Sequence, residues 1–142
     1  MSKSILALTV GDPAGIGPEI AIKTALRSDI RKICEPVLYG SEETIADTAA
    51  MLSLSLKNVK IRDTRRAIKK VCFGKLSAAA GEESMLALDA AIKDVKKGFV
   101  AAIVTAPLSK EAVVLSGRKK FCGHTGYIAE DRKSTRLNSS HA

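Results

Sequence analysis

Short apolar segments alternate with longer amphipathic segments along this 142-residue chain, and no other feature constrains its fold as strongly. The apolar segments predict buried strands because each is only a few residues long and ends at a glycine or proline turn. The amphipathic segments predict helices because apolar side chains recur every three to four residues. Strands are predicted at residues 4–10, 36–39 and 99–105, and helices at 18–27, 41–52, 77–97 and 109–115. This alternation predicts an α/β fold with a largely parallel sheet flanked by helices.

Two further short strands are predicted between the second and third helices. Residues 59–61 place two apolar side chains around a lysine, and residues 71–73 read Val-Cys-Phe. The basic stretch between them has no regular apolar period, so its secondary structure stays open.

The composition indicates one domain in the cytoplasm. Hydrophobic residues make up 46% of the chain, which is enough for one modest core. No apolar run approaches the roughly 20 residues that span a bilayer, and Gly11 interrupts the N-terminal apolar run before a signal sequence could form. Cys34, Cys72 and Cys122 are widely spaced and odd in number, which favours buried reduced thiols over a disulfide framework or a zinc site.

The net charge of +8 raises the alternative of a non-catalytic module that binds anions or nucleic acid. The basic residues are scattered, with the densest group at 57–75, and aromatic residues make up only 4% of the chain. Since single-stranded nucleic acid binds to aromatic platforms, and duplexes to continuous basic surfaces, a solvated basic face is the favoured interpretation.

The last eleven residues, 132–142, are polar and aperiodic, and without them the net charge falls from +8 to +5. They resemble adaptor or vector sequence, so we expect a non-native or disordered tail, with a natural flexible tail as the alternative. Residues 1–131 are expected to form the folded part.

The first segment with chemical potential is Gly-Asp-Pro-Ala-Gly-Ile-Gly-Pro-Glu at residues 11–19, between a predicted strand and a helix. It is neither G-x-G-x-x-G nor a P-loop. Its glycines permit positive φ and close approach, and it borders the crevice where open α/β sheets bind ligands. A tight structural turn and a ligand-facing loop with Asp12 both remain open.

The second segment is Val-Thr-Ala-Pro-Leu-Ser-Lys-Glu at residues 104–111. It places Lys110 in the first turn of a helix, where a positive charge opposes the helix dipole. This conflict indicates that Lys110 faces an anion or an acidic partner, and a solvated lysine paired locally with Glu111 or another acid is the alternative.

The third segment is Phe-Cys-Gly-His-Thr-Gly at residues 121–126. His124 is the only histidine outside the tail, and the hydroxyl of Thr125 follows it. An imidazole can donate a hydrogen bond to a phosphate or carboxylate and titrates near neutral pH. One histidine cannot make a metal site, and a structural role is the alternative.

The three segments in this order, with Gly-Lys-Leu-Ser-Ala at residues 74–78, resemble the 4-hydroxythreonine-4-phosphate dehydrogenase family over residues 4–130. The resemblance implies the architecture of isocitrate and isopropylmalate dehydrogenases, and a cytoplasmic homodimer. It also implies NAD and a divalent metal (zinc, magnesium or cobalt), with oxidation and decarboxylation of 4-phosphohydroxy-L-threonine in pyridoxal phosphate biosynthesis.

By this resemblance, His124 and Thr125 match the family's substrate-contacting pair, whereas Asp12 and Lys110 lie in family motifs without an assigned role. The family's metal ligands and NAD contacts follow the Gly-His-Thr segment, so we expect an N-terminal part that is inactive alone, without metal or cofactor ligands. A dehydrogenase of a phosphorylated sugar acid, threonate or erythronate 4-phosphate, is the alternative within the same fold.

Overall fold

A computed structural model describes residues 2–65 and 71–131 of the chain. The predicted tail at 132–142, and residues 66–70 of the basic stretch, lie outside the described residues. The strands are β1 (Ser4–Thr9), β2 (Cys34–Gly40), β3 (Lys60–Asp63) and β4 (Ala102–Thr105). The helices are α1 (Gly17–Leu26), α2 (Ser28–Ile33), α3 (Glu42–Met51), α4 (Ala78–Lys96) and α5 (Lys110–Leu115), and residues 124–131 are also helical.

The strands form one sheet in the order β3–β2–β1–β4, and each neighbouring pair is parallel. β1 lies inside the sheet, where Ala7 is level with Val37 of β2 and with Ile103 of β4. The predicted α/β class, with a largely parallel sheet between helices, is therefore confirmed.

Serine caps start three of the helices. The hydroxyls of Ser77 and Ser109 accept hydrogen bonds from backbone N–H groups three residues later, at 3.1 and 3.2 Å, and Ser41 makes a longer contact of 3.4 Å. Each satisfies an N–H that has no partner inside its helix. α4 and α5 therefore begin where the sequence predicts.

The two faces of β1 and β2 pack against different helices, since neighbouring strand residues point to opposite sides. Leu8 and Leu38 join a core with α1 and α3, whereas Ala7 and Tyr39 pack against α4. α5 then packs on α4 through Val113, which is fully buried with Met85 and Leu88. α4 is thus the layer that connects the sheet to the C-terminal segments.

The strand predicted at residues 71–73 is wrong. Gly74 takes a φ of +78°, the N–H of Lys75 donates to the carbonyl of Cys72, and Phe73 is 67% exposed. A chain that reverses here cannot lie along the edge of β3, so the segment forms a turn. The N–H of Gly74 donates instead to the carbonyl of Ala14, which ties this turn to the loop after β1.

Two further differences from the prediction concern β4 and α2. β4 begins at Ala102 rather than at 99, because the N–H groups of Gly98 and Phe99 donate back to the end of α4. α2 was not predicted, and none of its residues is buried, so it has no apolar face that a periodic pattern could reveal.

The expectation of buried thiols holds for one cysteine only. Cys34 is buried at the start of β2, whereas Cys72 and Cys122 are exposed because they lie in turns outside the packed layers. In the described part of the chain, no helix is long and apolar enough to span a bilayer.

Candidate functional site

The loops after β1 and β4 meet at the carboxyl edge of the sheet. From β1 the chain proceeds to β2 and β3 on one side, and it later returns to place β4 on the other side of β1. These two loops therefore flank the point where the strand order reverses, which is the position where open α/β sheets bind ligands.

Direct contacts hold the two loops together. The N–H of Asp12 donates to the carbonyl of Pro107 at 2.9 Å, and the hydroxyl of Ser84 on α4 donates to the carbonyl of Gly11 at 3.0 Å. Gly11 has a φ of +70°, and a Cβ placed on it would lie 2.1 Å from the Pro107 oxygen. Only glycine allows this approach, so the first two motifs of the sequence are in contact.

The carboxylate of Asp12 shapes its own loop. Its Oδ1 accepts a hydrogen bond from the N–H of Ala14 at 2.9 Å, and a Cβ placed on Gly15 would lie 3.3 Å from Oδ2. This is the local side-chain to backbone bond by which aspartate stabilises turns. The side chain that the sequence marked as a ligand candidate thus has a structural partner.

Lys110 is the first residue of α5, as predicted, and its side chain is exposed. The predicted alternative, a local ion pair with Glu111, is not formed, and within residues 2–65 and 71–131 Lys110 has no acidic partner. The side chain instead extends over Gly123, where a Cβ would lie 3.5 Å from Cε and 3.8 Å from Nζ. Among the residues that the structure describes, the Lys110 ammonium group therefore lies beside the third motif without a carboxylate partner.

His124 and Thr125 begin the helical segment 124–131. His124 is half-buried, and burial lowers the pKa of its imidazole below the usual value because the charged form loses hydration. The ring is therefore mainly neutral at pH 7 and can donate one hydrogen bond and accept another. Thr125 is exposed and offers a hydroxyl at the same helix start.

The structure thus joins the three motifs in a continuous row. The N–H of Asp12 donates to Pro107 across the two loops, and the end of the Lys110 side chain lies next to Gly123, the residue before His124. A lysine ammonium, an imidazole and a hydroxyl carried on these neighbouring segments suit an anionic ligand with hydroxyl or carboxylate groups.

Three further side chains come together that no sequence motif contains. Asp89 on α4 binds both Arg118 and Tyr127, which are 29 and 38 residues away in sequence. No pattern of spacing connects residues so far apart. The only local signal was that Tyr127 lies three residues after His124, on the same side of a helix.

Comparison with known proteins shows which family the chain resembles. The family model described as pyridoxal phosphate biosynthetic protein PdxA matches residues 32–139. A 4-hydroxythreonine-4-phosphate dehydrogenase from Janthinobacterium sp. (strain Marseille) is 36% identical over 93% of this chain and 43% of its own length. A Clostridium botulinum protein, provisionally named a D-threonate 4-phosphate dehydrogenase, is 26% identical over 91% of this chain and 43% of its own.

Solved structures give the same fold. The crystal structure of a 4-hydroxythreonine-4-phosphate dehydrogenase from Burkholderia phymatum aligns with a TM-score of 0.82 and 25% identity, over 92% of this chain and 44% of that one. The chain therefore spans about two-fifths of the length of the relatives that it matches.

Proposed function

The chain belongs to the family of pyridoxal phosphate biosynthetic protein PdxA, and from this membership we propose that it is part of a 4-hydroxythreonine-4-phosphate dehydrogenase. The reaction is oxidation of the alcohol carbon of 4-phosphohydroxy-L-threonine by NAD, with hydride transfer to the nicotinamide. The resulting β-keto acid then loses carbon dioxide on the route to pyridoxal phosphate.

The observation that carries the proposal is the row of motifs at the carboxyl edge of β1 and β4. A Gly-Asp-Pro loop, a Ser-Lys helix start and a Gly-His-Thr helix start lie far apart in sequence, yet they are in contact at the point where ligands bind in this class of fold.

Each side chain has a role that its chemistry allows. Lys110 carries the positive charge and attracts an anionic group of the substrate. His124 is neutral, so it serves as a hydrogen-bond donor to a substrate oxygen rather than as a cation. Thr125 adds a second hydroxyl contact, and Asp12 acts through the loop that it shapes.

The family membership also supports NAD, a divalent metal and a cytoplasmic homodimer as features of the whole enzyme. The described residues do not fit the metal, because no three His, Cys, Asp or Glu side chains among residues 2–65 and 71–131 are grouped as ligands. We assign no metal-dependent step to this chain.

A second candidate substrate is D-threonate 4-phosphate, favoured by the similarity to the Clostridium botulinum relative. It shares the phosphate and the carboxylate but lacks the amino group. Lys110, His124 and Thr125 all suit the shared groups, so discrimination has to come from contacts to the amino group.

Binding of 4-phosphohydroxy-L-threonine to the chain tests the proposal without requiring turnover. We expect the ligand to shift the amide NMR signals of Gly123, His124 and Thr125. We expect Lys110→Ala to weaken binding by about tenfold or more, because a charge-assisted hydrogen bond contributes about 1.5–3 kcal/mol.

Lys32→Ala is the matched control, since Lys32 is also an exposed lysine but lies on α2, which precedes β2 and so sits at the opposite edge of the sheet. It should leave the affinity unchanged. A parallel titration with D-threonate 4-phosphate ranks the two substrates. Absence of any shift near residues 123–125 with both ligands at millimolar concentration would overturn the proposal.

A further inference from the structure

Three side chains fasten the segment before and after His124 to α4. The hydroxyl of Tyr127 donates to Oδ1 of Asp89 and accepts a hydrogen bond from Nη1 of Arg118 at 3.1 Å. Nη2 of Arg118 donates to Oδ2 of Asp89 at 2.9 Å, which closes the triangle. We call these three residues the Asp89 clasp.

The clasp lies in a partly buried position, where charge-assisted hydrogen bonds are stronger than in water. The guanidinium of Arg118 lies 5.8 Å from the centre of the Tyr127 ring, and the ring of Phe121 lies 6.0 Å from it. Burial, together with the Asp89 carboxylate, raises the pKa of Tyr127, so its hydroxyl remains a donor at neutral and moderately alkaline pH.

Further contacts on both sides of the clasp attach the segment around His124 to α4. Phe121, Tyr127 and Ile128 pack against the α4 core cluster of Met85, Leu88 and Ile92. Further along, Lys96 of α4 forms an ion pair with Asp131 at 2.7 Å. The segment that contains His124 and Thr125 is therefore held along the length of α4, whereas within the described part of the chain the two side chains themselves form no hydrogen bond that would fix them.

We propose that the Asp89 clasp positions the substrate pair, by holding the first turn of the helical segment so that Gly123 stays against Lys110 and His124 stays half-buried. This inference rests on the proposed function for the roles of His124 and Thr125. Tyr127 lies one turn after His124, and its N–H donates to the carbonyl of Gly123 at 3.1 Å, so movement of the ring is passed directly to the glycine beside Lys110.

The imidazole of His124 reports on the clasp without any ligand. In Tyr127→Phe the helix start loosens and His124 becomes more exposed, so we expect its pKa to rise towards the usual value near 6.5. The ring-proton NMR signal of His124 measures this during a pH titration, with the wild-type chain titrated in parallel.

Tyr39→Phe is the matched control. The hydroxyl of Tyr39 also donates to a carboxylate of α4, Asp94, at 2.6 Å, but it does so from β2 rather than from the segment with His124. Both variants lose one tyrosine–aspartate hydrogen bond, and Tyr127→Phe also loses the hydrogen bond that Arg118 donates to the hydroxyl. We expect only Tyr127→Phe to raise the pKa of His124 and to weaken binding of 4-phosphohydroxy-L-threonine, by about tenfold.

The outcomes separate the two proposals. If the wild-type chain binds no ligand, the proposed function fails, and the titration of His124 still decides whether the clasp orders the helix start. If Tyr127→Phe is folded and leaves both the pKa of His124 and the ligand affinity unchanged, the clasp is overturned. Should Tyr127→Phe not fold, Arg118→Met removes both hydrogen bonds that Arg118 donates, to Tyr127 and to Asp89, and an unchanged His124 titration in that variant overturns the clasp equally.

Discussion

Gly81→Ala is expected to destabilise the chain by about 2 kcal/mol or more, although glycine-to-alanine changes inside helices usually stabilise by about 0.5–1 kcal/mol. Gly81 lies in α4 where α5 crosses it, and a Cβ placed on it would lie 1.9 Å from the carbonyl oxygen of Ala112. The two helices must move apart, and the buried contacts of Met85 and Leu88 with Val113 loosen with them. Thermal unfolding followed by circular dichroism measures the loss.

Gly126→Ala is the control for helix propensity. Gly126 also lies in a helical segment, but its added methyl group would meet only the Sγ of Cys122 at 3.3 Å, the end of an exposed side chain that can move. We expect this variant to be as stable as the wild type or slightly more stable. A Gly81→Ala protein that melts at or above the wild-type temperature would show that α4 and α5 do not pack this closely.

The strand and helix pattern was predictable because it depends on local chemistry. β1 and β2 are short apolar runs, and the start of α4 follows from a capping serine and a regular apolar face, so these elements could be placed from sequence. The turn at 71–73 could not be predicted from sequence, because an apolar triplet has the same local signal whether or not a neighbouring strand is available. Whether a neighbouring strand is available for pairing depends on the arrangement of the whole sheet.

The residues of the candidate site were predictable from the sequence, but the contacts between the segments that carry them were not. The sequence singled out Asp12, Lys110, His124 and Thr125 by the residue types around them. It could not show that the loop of Asp12 contacts Pro107, or that Lys110 extends over Gly123, because these contacts depend on β4 lying next to β1. The Asp89 clasp could not be predicted from the sequence for the same reason, since its members come from α4 and from two separate positions in the C-terminal segment.

Among substitutions that add a single methyl group in the site, Gly11→Ala is expected to lower the stability of the chain the most. The residue has a φ of +70°, which costs an L-residue about 1–2 kcal/mol, and its Cβ would lie 2.1 Å from the Pro107 oxygen and 2.8 Å from the Ala106 oxygen. Both obstacles are backbone atoms that no side-chain rotation can move. Separating the loops adds an overpacking cost of about 1–3 kcal/mol and the loss of the bond from Asp12 to Pro107, about 1 kcal/mol.

The total of about 4 kcal/mol is a large part of the 5–15 kcal/mol by which a typical domain is stable, so urea unfolding should show a much lower midpoint. Gly98→Ala isolates the conformational part of the cost, because Gly98 has a similar φ of +78° and nothing within 4 Å of its Cβ. We expect it to lose only about 1 kcal/mol. The difference between the two variants then measures the contact between the β1 and β4 loops, and equal losses would mean that this contact does not exist in solution.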